Sequence, residues 1–322
     1  MTVAREATKT TPAEDGGTDG FSFARLKQLT SIIAPTTMIT ALLFYFGYIG
    51  TKSRFEYFGV YLDMTDLSNQ QLLLYGLEVI YVPAALGFIA VLVVIAVHAG
   101  VVWLLDVRRS DTAILVIGLG AILLGILLIG RGLVGILVSR VYENEEPPGT
   151  TELALAIGPA TAAYGIWICV RRVRRVAAGG RTPSAFLTWY DSTVMMGLRR
   201  SGQICAGGLV VAGLFWAVHT FAWAFGEDRA YRFALDLPEQ PEVVLDTGER
   251  LTDVPAKVTE SPLPATQEAA YRYRYRGLRL LLASGGRLFL VPQPWTRQGR
   301  TLVVPYDGDV RIQLIPTGDA NP

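Results

Sequence analysis

The sequence is poor in the groups that usually do chemistry. Its 322 residues include two cysteines, Cys169 and Cys205, and two histidines, His98 and His219. Both cysteines fall at the ends of apolar runs, so no disulfide framework is implied. There is no H-E-x-x-H, no G-x-S-x-G, no G-x-x-x-x-G-K-[ST] and no C-x-x-C, which removes the common signatures of metalloproteases, hydrolases, phosphate loops and thiol redox sites. No acidic pair stands inside an apolar run, so a charged-substrate pathway is poorly supplied. No cofactor is expected. Charged residues make up 18% and the formal net charge is +1. A soluble globule carries about 25%, and a balanced charge gives no general attraction to nucleic acid. Lysine occurs only at Lys9, Lys27, Lys52 and Lys257, so the basic side chains are nearly all arginine.

What is abundant is apolar sequence. Half of the chain is apolar (51%) and its mean hydropathy is +0.35. Five blocks carry the surplus: Leu29 to Gly50, Val79 to Leu105, Thr112 to Val138, Leu153 to Val170 and Gly202 to Phe225. Runs of about 20 apolar residues cross a hydrocarbon core roughly 30 Å thick at about 1.5 Å per helical residue. The first block lacks a small-residue cleavage site and exceeds the core of a signal peptide, so it reads as an uncleaved helix. The expected fold is an α-helical multi-pass membrane protein of about five transmembrane helices with a small all-β C-terminal soluble domain. Its parts are a disordered cytoplasmic tail (1–28), a five-helix domain (29–225) and a β-rich domain (226–322).

Arginine and lysine are retained on the cytoplasmic side of short loops, which orients the helices. The link after the fourth block holds Arg171, Arg172, Arg174, Arg175, Arg181, Arg199 and Arg200. With Arg5, Lys9, Arg25, Lys27, Arg108 and Arg109 it puts thirteen basic residues inside, against Lys52, Arg54 and Arg140 outside. The N-terminus is then cytoplasmic and an odd number of crossings sends the C-terminal domain out of a bacterial plasma membrane. Phe44, Tyr45, Phe46 and Tyr48 at one outer end, Phe221, Trp223 and Phe225 at another, and Trp103 at an inner end agree with the aromatic preference for interfaces.

Between the first two blocks the chain reads Phe55, Tyr57, Phe58, Val60, Tyr61 and Leu62 before Leu67-Ser68-Asn69-Gln70-Gln71. Ser68 and Gln71 form an S-x-x-Q capping box and predict a helix start. The Tyr57-Phe58-Gly59-Val60 stretch with this Leu-Ser-x-Gln start, Tyr57 to Leu74, resembles multi-pass membrane proteins of actinobacteria; the resemblance implies a membrane fold and carries over no activity. After the arginine cluster, Gly179-Gly180 breaks the chain and Thr182-Pro183 restarts it. Phe186, Trp189, Tyr190, Val194 and Leu198 then recur at helical spacing, predicting an interfacial amphipathic helix from Pro183 to Leu198.

From Gly226 onward the period becomes two. Tyr271 to Tyr275 alternates strictly, and Leu278 to Ala283, Ser284-Gly285-Gly286 and Arg287 to Val291 read as a hairpin. Tyr231 to Leu237, Glu242 to Leu245, Thr301 to Pro305 and Val310 to Ile315 are further strand candidates. A small antiparallel barrel or sandwich is expected, with Gly248 in an exposed turn.

Ionisable groups inside membrane spans are costly, which singles out Arg131, His98 and His219. His98 lies about 10 Å from the inner end of its span and His219 about 9 Å from the outer end of its own, too far apart to share a metal. Each is expected either to bond a neighbouring helix or to relay protons. Arg131, between Gly130 and Gly132, either snorkels to headgroups, pairs with Glu78, Glu143, Glu145 or Glu146, or lines an outward-facing cavity. Arg171, Arg172, Arg174 and Arg175 either set topology alone or also contact anionic lipid headgroups. Gly118, Ala121, Gly125 and Gly132, with Ala154, Gly158 and Ala162, form small-residue faces that close helices of one chain or of a homo-oligomer. Arg272, Arg274 and Arg276 share one strand face opposite Tyr271, Tyr273 and Tyr275, and are either solvated or an anion-binding strip.

The expected role is a non-enzymatic envelope protein presenting its β-domain outside for sensing or for binding an envelope protein or anionic polymer, with membrane lipids as further partners. A small transporter or channel subunit and a membrane-embedded lipid-modifying enzyme are the alternatives.

Overall fold

The computed structural model describes residues 19–107, 111–137, 147, 149–178, 185–255, 257–264, 270–306 and 309–316. The acidic outer-loop residues Glu143, Glu145 and Glu146 lie outside them, as do Arg108, Arg109, Arg140, Arg181 and Thr182-Pro183. Among the described residues, five long helices and one short helix precede a sheet: α1 (Asp19–Glu56), α2 (Asn69–Val107), α3 (Asp111–Leu137), α4 (Thr150–Ala178), α5 (Ala185–Tyr190) and α6 (Thr193–Leu235). Among the described residues, four helices are long and apolar enough to cross a membrane: α2, α3, α4 and α6. The first block lies within α1, which runs 38 residues and is helical from Asp19, inside the stretch read as a tail.

The capping box forms as its spacing requires. The Ser68 amide donates to Gln71 Oε1 (2.9 Å) and the Gln71 amide donates to Ser68 Oγ (3.3 Å), so α2 starts at Asn69 and continues unbroken for 39 residues. The predicted helix from Pro183 to Leu198 is instead two pieces. Asp191 and Ser192 interrupt it because Ser192 takes an extended backbone and its hydroxyl accepts from the Met195 amide, capping α6. The strand expected at Tyr231 to Leu237 is also corrected. These residues end α6, where Asp228 and Arg232 pair at i,i+4 (2.9 Å) and the Asp236 amide closes the last turn on the Arg232 carbonyl. Leu237 to Glu239 then form a 3-10 turn.

Small residues decide how the helices meet. A Cβ built on Gly125 of α3 would lie 2.7 Å from the Gly158 carbonyl oxygen of α4, and one on Gly165 would lie 2.6 Å from the Gly118 carbonyl. The small-residue faces therefore close a pair within one chain. Elsewhere in the bundle, α1 is gripped on two sides. A Cβ on Gly47 would meet the backbone of α2 at Leu72 and Gly76, and one on Gly226 of α6 would meet the Gly50 carbonyl.

The sheet contains β1 (Glu242–Thr247), β2 (Thr259–Pro262), β3 (Tyr273–Ser284), β4 (Arg287–Pro292), β5 (Leu302–Pro305) and β6 (Val310–Ile315). It is one antiparallel sheet, ordered β5-β4-β3-β1-β6 with β2 also on β3, where a small antiparallel barrel or sandwich was expected. Gly285 and Gly286, both at positive φ, make the turn between β3 and β4. Gly277, also at positive φ, sits where the β1–β3 register slips, so a bulge joins two expected strands into one.

Both faces of β4 are covered, which explains its continuous Leu288-Phe289-Leu290-Val291 run. Leu288 and Leu290 pack with Val243, Leu245, Tyr275 and Leu278 under the loop holding Leu251 and Val254. Phe289 and Val291 pack against Phe55, Phe58, Leu72, Ala230 and Leu237 from the helix ends. Helices and sheet thus share a core.

Candidate functional site

The shared core places a polar layer just beneath it, where α1 and α6 meet. Ser53 donates to the Trp223 carbonyl (2.6 Å), Lys52 reaches Glu56 (3.7 Å), and Arg297 from the loop after β4 donates to Glu227 (3.1 Å) while lying over Tyr57 (5.8 Å). Ser53, Glu56, Tyr57, Trp223, Glu227 and Arg297 line an open cavity of about 300 Å³. Two carboxylates and a guanidinium there can hold a small charged or zwitterionic group. Among the described residues no three His, Cys, Asp or Glu gather as around a metal ion. Beside the cavity, Arg229 of α6 pairs with Glu78.

Deeper in the bundle the two histidines occupy separate places. His219 Nδ1 lies 3.0 Å from the Tyr45 hydroxyl, beside Phe215. His98 Nδ1 lies 2.9 Å from the Tyr164 hydroxyl of α4, where Tyr164 and Trp167 stack and Arg171 covers Trp167 (5.3 Å). Each histidine bonds a neighbouring helix. Arg131 is half-buried near the C-terminal end of α3.

Sequence reasoning missed Glu152. It sits in the first turn of α4, is 7% exposed, and accepts a 2.7 Å bond from Thr220 of α6, the residue after His219. The helix N-terminus favours its negative charge. Replacing Thr220 by valine withdraws a donor from a buried carboxylate, so we expect a loss of about 1–3 kcal/mol, read as earlier thermal unfolding in detergent, with Thr220→Ser close to the parent.

On the sheet, Arg274, Asp246 and Arg311 stand side by side across β3, β1 and β6. The fully buried Asp246 carboxylate accepts from Arg274 (2.8 and 3.0 Å) and from Arg311 (2.6 and 3.0 Å). The bond from Arg274 holds the Asp246 carboxyl below its ordinary range, with Arg311 adding to it and burial opposing both. Of the arginine strip, Arg274 is therefore engaged within the sheet, whereas Arg272 and Arg276 are exposed. Burial pushes the Tyr275 hydroxyl up, although it accepts from the Leu251 amide (2.9 Å). Arg279, also missed in the sequence, is buried and donates to the Leu237 carbonyl (3.0 Å), fastening the sheet to the end of α6. Gly248 is half-buried and its neighbour Glu249 is exposed.

The edge strand β6 pairs only with β1 among the described residues and leaves Leu314 (57%) and Ile315 (42%) exposed. It lies three strands from β4, roughly 14 Å at the usual interstrand spacing, and so away from the strand that packs on the helices. Compared with protein-family models, curated proteins and solved structures, the chain matches none.

Proposed function

We propose that this chain is an integral protein of a bacterial plasma membrane in which α1, α2, α3, α4 and α6 cross the bilayer and hold the β-domain outside the cell for binding a partner. The observation that carries the reading is the shared core: Phe289 and Val291 of the sheet pack with Phe55, Phe58 and Ala230 of the helix ends, so the domain is displayed in a fixed pose. The glycine grip on α1 supports its inclusion as a fifth crossing, and the basic inner residues supply the orientation. The open β6 edge suits an extended peptide segment of an envelope protein, which would add a strand through its backbone.

The rival reading of a transporter rests on polar groups within the bundle. It is weakened because His98 and His219 each lie within hydrogen-bond distance of a tyrosine hydroxyl and Glu152 accepts from Thr220. Solute flux in proteoliposomes that Arg131→Leu abolishes without unfolding the protein would favour the rival.

The orientation has a direct test. A cysteine at Glu249, exposed beyond β1, should react in intact cells with a maleimide that cannot cross the inner membrane, while Cys205 stays unlabelled until lysis. Labelling of the introduced cysteine only after lysis would put the domain in the cytoplasm and remove the envelope reading.

A further inference from the structure

We infer that the cytoplasmic-side cleft between α4 and α6 is a binding site for one anionic phospholipid, with its acyl chain against α4 and its headgroup among arginines. The inference rests on the helices lying in a membrane with the arginine-rich link on its cytoplasmic side, and is independent of what the β-domain binds. The cleft arises from the way the two helices part. They touch at Gly213, where a Cβ would lie 2.8 Å from the Ala156 amide nitrogen. Toward the N-terminal end of α6 the contact is lost, since Gly202 lines the space between the helices and a Cβ there would meet nothing within 4 Å. Pro159 lies in α4 just beyond the touching point, and proline there removes a helical hydrogen bond and favours a bend.

The resulting space is about 610 Å³. Its walls are apolar along Ile129, Pro159, Ala162, Ala163 and Ile166, and its polar groups collect at one end, at Arg174, Tyr190, Arg199 and Gln203. An adjoining hollow is lined by Trp167, Val170, Arg171, Arg174 and Arg175. Helix α5 flanks the charged end: Arg199 lies over Tyr190 (4.9 Å) and Arg174 donates to Asp191 (3.0 Å). Among the described residues at the mouth, Asp191 stands against the guanidinium groups of Arg174 and Arg199, and a net positive charge remains. Apolar walls without partner atoms forfeit dispersion contacts, so in a bilayer an acyl chain fills them. A phosphodiester at the mouth accepts several hydrogen bonds from arginine, and a single anionic charge suits an inner leaflet rich in acidic lipid. A neutral zwitterionic headgroup would bring its own ammonium to the same arginines.

The test is native mass spectrometry of the full chain, released from detergent after equilibration with equal amounts of phosphatidylglycerol and phosphatidylcholine of identical acyl chains. One phosphatidylglycerol should remain per chain, favoured about tenfold over phosphatidylcholine, a difference of about 1.4 kcal/mol. Arg174→Gln with Arg199→Gln should bring the two lipids to parity. Ala163→Trp, which leaves the arginines intact and fills the trench, should cut retention of both. Equal retention of the two lipids by the unsubstituted protein overturns the proposal without recourse to any variant. So does a preference that survives both substitutions, or one that millimolar inorganic phosphate removes with no dependence on acyl length, which would make the cleft a site for free phosphate.

Discussion

Replacing Gly226 by leucine should stop the bundle from assembling. The Cβ of any residue at this position would fall on the Gly50 carbonyl of α1, with the Ser53 Cβ also about it, and backbone cannot move aside as a flexible side chain can. Overpacking a well-filled core costs about 1–3 kcal/mol when neighbours can yield. Here a rigid helix must be displaced, and the displacement breaks the contact of Phe46, Ile49, Val79 and Ala222 that the approach permits. We expect more than about 3 kcal/mol, enough to consume much of the 5–15 kcal/mol that holds a typical fold. Size-exclusion chromatography should show the loss of a monodisperse peak, and even Gly226→Ala should be harmful. Gly207→Leu is the control, because a side chain there enters open space; equal damage from the two would mean that helix approach at Gly226 does not govern assembly.

Asp246→Asn should be nearly as damaging to the sheet, and its effect should vanish in acid. The carboxylate is fully buried between Arg274 and Arg311 on the strands to either side, so it ties three strands through one charge. Removing one partner of a buried pair typically costs 3–5 kcal/mol, and because both arginines can turn to water we expect about 3 kcal/mol. The folded carboxyl titrates below its ordinary value, whereas the unfolded one titrates near 3.9. The stabilisation is therefore complete above about pH 4 and is lost as pH falls through the lower folded value. Near-UV circular dichroism of the full chain, melted in detergent between pH 7 and pH 2, should show this acid limb in the parent protein. The asparagine variant should start lower and lack the limb; an identical acid limb in both would assign the acid sensitivity to another group.

Much of the scaffold was legible because local rules governed it. Apolar length marked α2, α3, α4 and α6, the Ser68-Gln71 pair marked the start of α2, and Gly285-Gly286 fixed the hairpin. Val310 to Ile315 matched β6 to the residue, because Val310, Ile312 and Leu314 alternate with Arg311 and Gln313. The misreadings came where a second signal overrode periodicity. Tyr231, Phe233 and Leu235 alternate like a strand, yet they continue a helix already propagating and paired at Asp228 and Arg232. The strand Thr259–Pro262 carries no hydrophobic alternation at all and owes its pairing to β3. Site residues were harder. Glu152 stands at the margin of an apolar run and its partner Thr220 is far along the chain, while Asp246 shows its role only once β1 lies between β3 and β6.

The sheet and the helix tips divide one interior between them, and this imposes an order on biogenesis. Translation delivers α1 and α2 before β4, so the surface made by Phe55, Phe58 and Leu72 waits, uncovered, until Phe289 and Val291 arrive. The reverse dependence is equally strict. A soluble fragment starting at Asp236 would show those two side chains, with Leu237 and Trp295, to water, and Arg279 would keep its bond to the Leu237 carbonyl with no α6 behind it. Such a fragment is a sticky half-molecule, whose folding is inseparable from that of the helices that precede it.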